Sequence, residues 1–195
     1  MTDSPNRIIA IDCDLEERKR FRKGDGILFD NANAGLGYVV YNPAAGRGDA
    51  GYLSAACDFR NHIEGNGPFR RMFHGLEDLE RAIQRHAEFA FSGYNDHLEV
   101  YCVGLNYFDI PASDDEMDAD FLEDLHLSET IIKAYLQHRK IRHVKTDFNV
   151  EGNPSSHRYL VIPHRDIIKR LPGDSPLEQL RQRFSDTVFP DAPPE

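Results

Sequence analysis

The sequence predicts an α+β fold: one domain over residues 1–188, with a mixed β-sheet (two hairpins plus single strands) packed by three main helices. Three observations carry this prediction. Short runs rich in β-branched residues, with alternating apolar positions, recur in both halves of the chain between turn-forming residues. Three longer stretches place apolar residues at helical spacing, two of them behind capping signals. No repeat, linker or low-complexity tract divides the 195 residues, and a composition that is 40% hydrophobic and 29% charged is able to bury a core.

Taken in order, RIIAIDC (7–13), GILFDNA (26–32) and GYVVYN (37–42) read as strands, the second and third closing a hairpin over Gly and Asn. The run LEVYCVG (98–104) reads as a buried strand, and IRHVKTDFNV (141–150) with HRYLVIP (157–163) as a second hairpin around EGNPSS. A helix over about 75–92 gathers Leu76, Leu79, Ile83 and Ala90 on one side. A second, about 114–140, unbroken or interrupted near Ser128, stacks Phe121, Leu125, Ile132 and Leu136 behind a capping box of Ser113 and Glu116. The third opens at Ser175, with Pro176 in the first helical position, Glu178 completing a box, and Leu177, Leu180 and Phe184 as its apolar face. The stretch DIIKRL (166–171) fits a shorter helix, and the Pro-rich tail from 189 to 195 is expected to fray.

Cys13, Cys57 and Cys102 are odd in number and far apart, and none sits in a CxxC spacing. This argues against a disulfide framework and a cysteine-based zinc site, and it fits a reducing cytoplasm. The first residues, MTDSPNRIIAIDCD, lack the pattern of a signal peptide, and no apolar run approaches a membrane span, so a soluble, unprocessed protein is expected.

Charge is distributed unevenly. The segment from Asp109 to Asp124, DIPASDDEMDADFLED, holds eight carboxylates and no Lys or Arg, and so accounts for −8 of the formal −10. Such carboxylates complement the start of a helix, as the basic residues between 133 and 145 complement its end. Their density exceeds what one helix end requires. This predicts a binding or regulatory protein, with an inhibitor as one option, in which Asp114, Asp115, Glu116, Asp118, Asp120, Glu123 and Asp124 engage a basic protein surface such as that of a nucleic-acid-handling partner. An EF-hand reading fails, because Ala119 and Leu125 stand where Gly and Glu are required. Basic residues cluster as well, at Arg18, Lys19, Arg20, Arg22 and Lys23 and again from Lys133 to Lys145. The overall charge argues against generic nucleic-acid affinity while leaving room for a local basic groove that holds a phosphate backbone.

The alternative expectation is a small metal-dependent enzyme acting on a phosphodiester or nucleotide, as a nuclease or nucleotidyltransferase would. Asp12 and Asp14, alternate residues at a strand end, would share a face and hold Mg²⁺ or Mn²⁺, with His157 as phosphate ligand or general acid. The run GRGDAG matches G-x-G-x-x-G, so Gly46, Arg47, Gly48 and Gly51 would bind phosphate where a strand gives way to a helix through YLSAACDFRNHI. The plain alternatives are that the glycines serve a hairpin and an exposed loop, that Asp12 and Asp14 cap a helix beginning LEER, and that His157 is an edge residue. The wider run YNPAAGRGDA resembles the Asn-Pro-x-x-Gly-x-Gly loop of diacylglycerol and sphingosine kinases at Asn42, Pro43, Gly46 and Gly48. That resemblance implies a loop lying against a nucleotide. Asp12 and Asp14, then Ser155 and His157, then Asp166, are similar in order to the motifs of archaeo-eukaryotic primase-polymerases, which implies acids on metal and a histidine on nucleotide phosphate. The histidines at 62, 74, 86 and 97 have no metal-binding spacing, and His138 and His143 suit a solvated or dipole-satisfying role at a helix end. Neither G-x-S-x-G nor an assignable Cys–His pair points to a nucleophilic hydrolase.

Overall fold

The computed structural model describes residues 5–13, 17–30, 32, 35–53, 76–87, 97–106, 115–150 and 158–171, with the backbone alone from 115 to 121. The fold is α+β, with two mixed sheets in place of the single sheet expected. Strands β1 (Arg7–Asp12), β3 (Asp25–Asp30), β8 (Arg158–Ile162) and β9 (Ile167–Leu171) form one sheet in that order. Strands β2 (Arg18–Arg22), β5 (Arg47–Leu53), β4 (Leu36–Asn42), β6 (Glu99–Gly104) and β7 (His143–Phe148) form the other, again in that order. Among the described residues there are two α-helices, α1 (Glu77–His86) and α2 (Asp115–His138); the helix expected from Ser175 lies outside them, as does Ser113.

Side-chain alternation explains the layering. Ile27 and Phe29 pair across β3 and β8 with Val161 and Tyr159, and all four point into an apolar layer shared with Val39, Tyr41, Ala50, Tyr101 and Val103 of the five-stranded sheet. The opposite face of the five-stranded sheet, with Leu36, Tyr38, Val40, Val100 and Cys102, packs under Leu79 and Ile83 of α1 and Leu125, Ile132 and Leu136 of α2. Helix α2 joins the parallel strands β6 and β7, the geometry a crossover helix requires. It runs unbroken through Ser128, whose Oγ donates to the Asp124 carbonyl at 2.7 Å and so satisfies the buried hydroxyl within the helix. Acids in the first turn of α1 and Arg85 with His86 in its last turn match the helix dipole. The Glu80 carboxylate of α1 accepts from the Tyr135 hydroxyl and the Arg139 guanidinium, tying α1 to the end of α2. No helix among the described residues is long and apolar enough to cross a membrane.

Five local expectations are corrected. Strands β3 and β4 do not form a hairpin, and neither do β7 and β8, because in each case the chain crosses from one sheet to the other. DIIKRL is not a helix: Ile167–Leu171 is strand β9, paired with β8 after a left-handed Asp166 at φ 56°. The helix expected at LEER is absent at its end, because Arg18 already belongs to β2. Finally, GRGDAG does not bridge a strand and a helix. It is most of β5, the second arm of a hairpin with β4. Gly48 lies beneath the Phe21 ring and Gly51 beneath that of Tyr38, so their missing side chains make room for aromatic packing across strands.

Candidate anion-binding cleft

Strand β2 ends in a sharp corner at Lys23 and Gly24, where the chain leaves the five-stranded sheet for the four-stranded one. Gly24 takes φ 97°, and a Cβ there would run into the Asn6 side chain at 2.1 Å. Asp25 holds the corner: its buried carboxylate accepts from the Arg22 backbone N–H at 2.9 Å and from Arg7 Nη2 at 2.7 Å. Beside it stands the tip of the β4–β5 hairpin. Asn42 Oδ1 accepts from the Ala45 N–H at 2.9 Å, which starts the turn, while its Nδ2 donates to the His86 carbonyl at 3.2 Å and pins the turn to the end of α1. Gly46 closes the turn at φ 61°, and its carbonyl accepts from the Lys23 N–H at 2.8 Å, joining corner and hairpin tip through their main chains. In this fold, therefore, the Asn-Pro-x-x-Gly residues build a turn after β4, with Asn42 buried.

Between these elements opens a cleft of about 1020 Å³. Arg7 comes from β1, Arg20 and Arg22 from β2, Lys23 from the corner, Arg47 from the start of β5 and Arg85 from the end of α1. These six cations face two carboxylates, Asp25 and Asp49, with His86 beside them. Asp25 is engaged by Arg7, and Asp49 by Arg85 and, at 3.9 Å, by Arg20. Arg22, Lys23 and Arg47 are exposed and form no ion pair among the described residues. Arg22 and Arg47 are also direct cross-strand partners, an arrangement in which like charges repel.

The floor of the cleft is an acid–histidine pair. The side chains of Asp49 and His86 are only 7% and 6% exposed, with Oδ1 and Nε2 3.4 Å apart. That separation permits attraction, yet the two atoms lack hydrogen-bond alignment, and neither has another hydrogen-bond partner among the described residues. Burial pushes the Asp49 carboxyl up; His86 and Arg85 outweigh that push and hold it below the ordinary carboxylate value. A smaller hollow continues the cleft along β2, lined by Arg18, Arg20, Arg81 and Arg85 with Asp78 and Asp49.

Of the residues singled out in the sequence, Arg47 and Gly48 line the cleft, Gly46 forms the adjoining turn and Gly51 packs under Tyr38. Asp12 lies elsewhere. It ends β1 opposite Asp30, whereas Arg7, five residues back and so about 16 Å along the strand, is the β1 residue in the cleft. Asp166, ion-paired with His143 and Lys145, follows the far end of β8 from Asp12 in the sheet register. Asp14, Ser155 and His157 lie outside the described residues. No group of three or more His, Cys, Asp or Glu among the described residues could hold a metal ion. Cys102 is fully buried, and burial pushes its thiol up to about 12, so it is protonated and shielded at neutral pH; Cys57 is outside the described residues. In the acidic segment, Asp115, Glu116, Asp118 and Asp120 fall on the first turns of α2, Glu123 is exposed and Asp124 half-buried, while Asp114 precedes the described helix.

Asp49 and Arg85 went unnoticed in the sequence, and His86 was named there without a role. Asp49 stands inside the glycine motif, where only the glycines drew attention, and His86 belongs to a series of histidines without ligand spacing. Compared with known protein families and with curated proteins, the chain matches none.

Proposed function

We propose that this protein binds a phosphate-bearing anion in the cleft between the β2–β3 corner, the β4–β5 hairpin and the end of α1. One observation carries the reading: Arg22 and Arg47 face each other across β2 and β5 with neither guanidinium in an ion pair among the described residues, in a chain with ten more acidic than basic charges. Fold stability alone gains nothing from that pairing, because directly opposed like charges cost free energy. An anion seated between two guanidinium forks converts the cost into charge-assisted hydrogen bonds, and phosphate suits the fork geometry. The test is titration with inorganic tripolyphosphate at low salt, followed by calorimetry and thermal shift. Binding that raises the melting temperature is expected, and Arg22→Ala with Arg47→Ala should weaken it about a hundredfold, two charge-assisted contacts being worth roughly 3 kcal/mol. Absence of binding by the native protein at low salt would remove the reading.

A second surface supports the docking function expected from charge. Four acids fall on the first turns of α2, and Glu123 stands exposed just beyond them. Neutralising Asp114, Asp115, Glu116, Asp118 and Asp120 to Asn and Gln is expected to abolish binding of a lysine-rich peptide while leaving the circular dichroism spectrum unchanged. Unaltered peptide affinity would refute it.

A further inference from the structure

We infer that the ligand of this cleft is an extended single strand of nucleic acid, gripped by its backbone along β2. The inference rests on the phosphate-binding reading above and adds the length and direction of the ligand.

Three observations support it. Arg18, Arg20 and Arg22 alternate along β2, so they share one face at intervals of about 6.6 Å, comparable to the separation of successive phosphates on an extended strand. The ladder joins two hollows: Arg20 and Arg22 line the large cleft, and Arg18 and Arg20 line the smaller one, with Arg20, Asp49 and Arg85 common to both. The cationic surface is therefore a track. The track is also accessible, since Arg18, Arg20, Arg81 and Arg85 have side chains 51%, 78%, 60% and 50% exposed.

A blander account exists for β2 itself. It ends its sheet, and basic residues on an edge strand discourage pairing with another chain. That role requires charge on β2 alone. It does not require Arg7 from β1, Lys23 from the corner, Arg47 from β5 and Arg85 from α1 to converge on the same hollow. The volume favours one strand over a duplex: about 1020 Å³ is at the upper limit of small-ligand pockets and holds a few nucleotides. Among the described residues that line the large cleft the one aromatic side chain is Phe21, which is buried between the sheets and offers no face to a base. The grip is electrostatic, tolerant of sequence and sensitive to salt.

Fluorescence anisotropy with labelled dT12, a 12-base-pair duplex as competitor and tripolyphosphate as a second competitor tests this on the full chain. The dT12 strand is expected to bind at least about tenfold more tightly than tripolyphosphate, with log K falling against log salt at a slope of about −2 to −3.5, as three to five neutralised phosphates on a single strand require. Arg18→Gln, at the far end of the ladder and outside the large cleft, is expected to weaken dT12 several-fold and leave tripolyphosphate unchanged. Equal affinity for both ligands, with no effect of Arg18→Gln on dT12, would overturn the track and leave the phosphate site standing. Tighter binding of the duplex would overturn the single-strand assignment. If neither nucleic acid nor tripolyphosphate binds, the underlying reading falls with the inference.

Discussion

Gly48→Ala is expected to cost the fold about 3 kcal/mol, at the upper end of what overpacking a tight core usually does. A Cβ at this position would stand 2.3 Å from the Phe21 ring and 2.3 Å from the Val40 carbonyl oxygen. The ring cannot swing aside, because Phe21 is 3% exposed and stacks on Tyr41 with centroids 5.8 Å apart. The oxygen cannot move without disturbing the β4–β5 ladder, in which Val40 and Asp49 are partners. Out of the 5–15 kcal/mol typical of a folded domain, such a loss is severe. A urea melt that keeps its midpoint would show that the ring and the strand have room the packing denies them. The same glycine has a bearing on binding. Phe21 seated over Gly48 fixes β2 on the sheet, and β2 presents Arg20 and Arg22 to the cleft.

Asp49→Ala is expected to act in opposite directions on stability and on binding. Removing the carboxylate leaves the buried His86 Nε2 without its neighbour and releases Arg85, half-exposed, towards solvent, at a cost of about 1–3 kcal/mol. The cleft meanwhile loses one of its two negative charges, so affinity for tripolyphosphate is expected to rise about tenfold. A variant that is less stable but binds more tightly separates this carboxylate from a merely structural one; loss of both properties would contradict its place in the floor of the cleft. The acid limb of the stability curve gives a further check on the same variant. Asp49 is held below its ordinary value in the fold, so its stabilisation is complete above the unfolded value near 3.9 and disappears as pH falls through the lower folded one. Chemical denaturation between pH 5 and pH 2 should accordingly show native and variant proteins converging at the acid end.

Much of the fold was legible where apolar alternation is strong. Strands β1, β3, β4 and β6 and both described helices fall where periodicity places them, because each carries Ile, Val, Leu or Tyr into the core, β1 through Ile11. Strands β2 and β5 escaped notice for opposite reasons. RKRFR has a single apolar residue and reads as a charge cluster, while RGDAGYL looks like a phosphate loop because glycine content is a signal about backbone freedom and says nothing of what will lie above it. Only Phe21 and Tyr38, brought from other strands, explain why Gly48 and Gly51 are small. The assignment of strands to two sheets was not legible either, since a corner such as Lys23–Gly24 has the same turn residues as a hairpin. The basic cluster at 18–23 was visible as composition and as room for a local phosphate groove. Its convergence with Arg7, Arg47 and Arg85 depends on the β1–β3 and β2–β5 pairings and on α1 packing against β5, which no local pattern encodes.

The bond from the Lys23 amide to the Gly46 carbonyl extends the β2–β5 ladder one step past Arg22 and Arg47, one side belonging to the bend that leaves β2 and the other to the tip between β4 and β5. It works as a latch. With the latch closed, the distance between Arg22 and Arg47 is a property of the scaffold, and their long arms need only local adjustment around a fixed gauge. Whatever occupies that gap is measured first by its width.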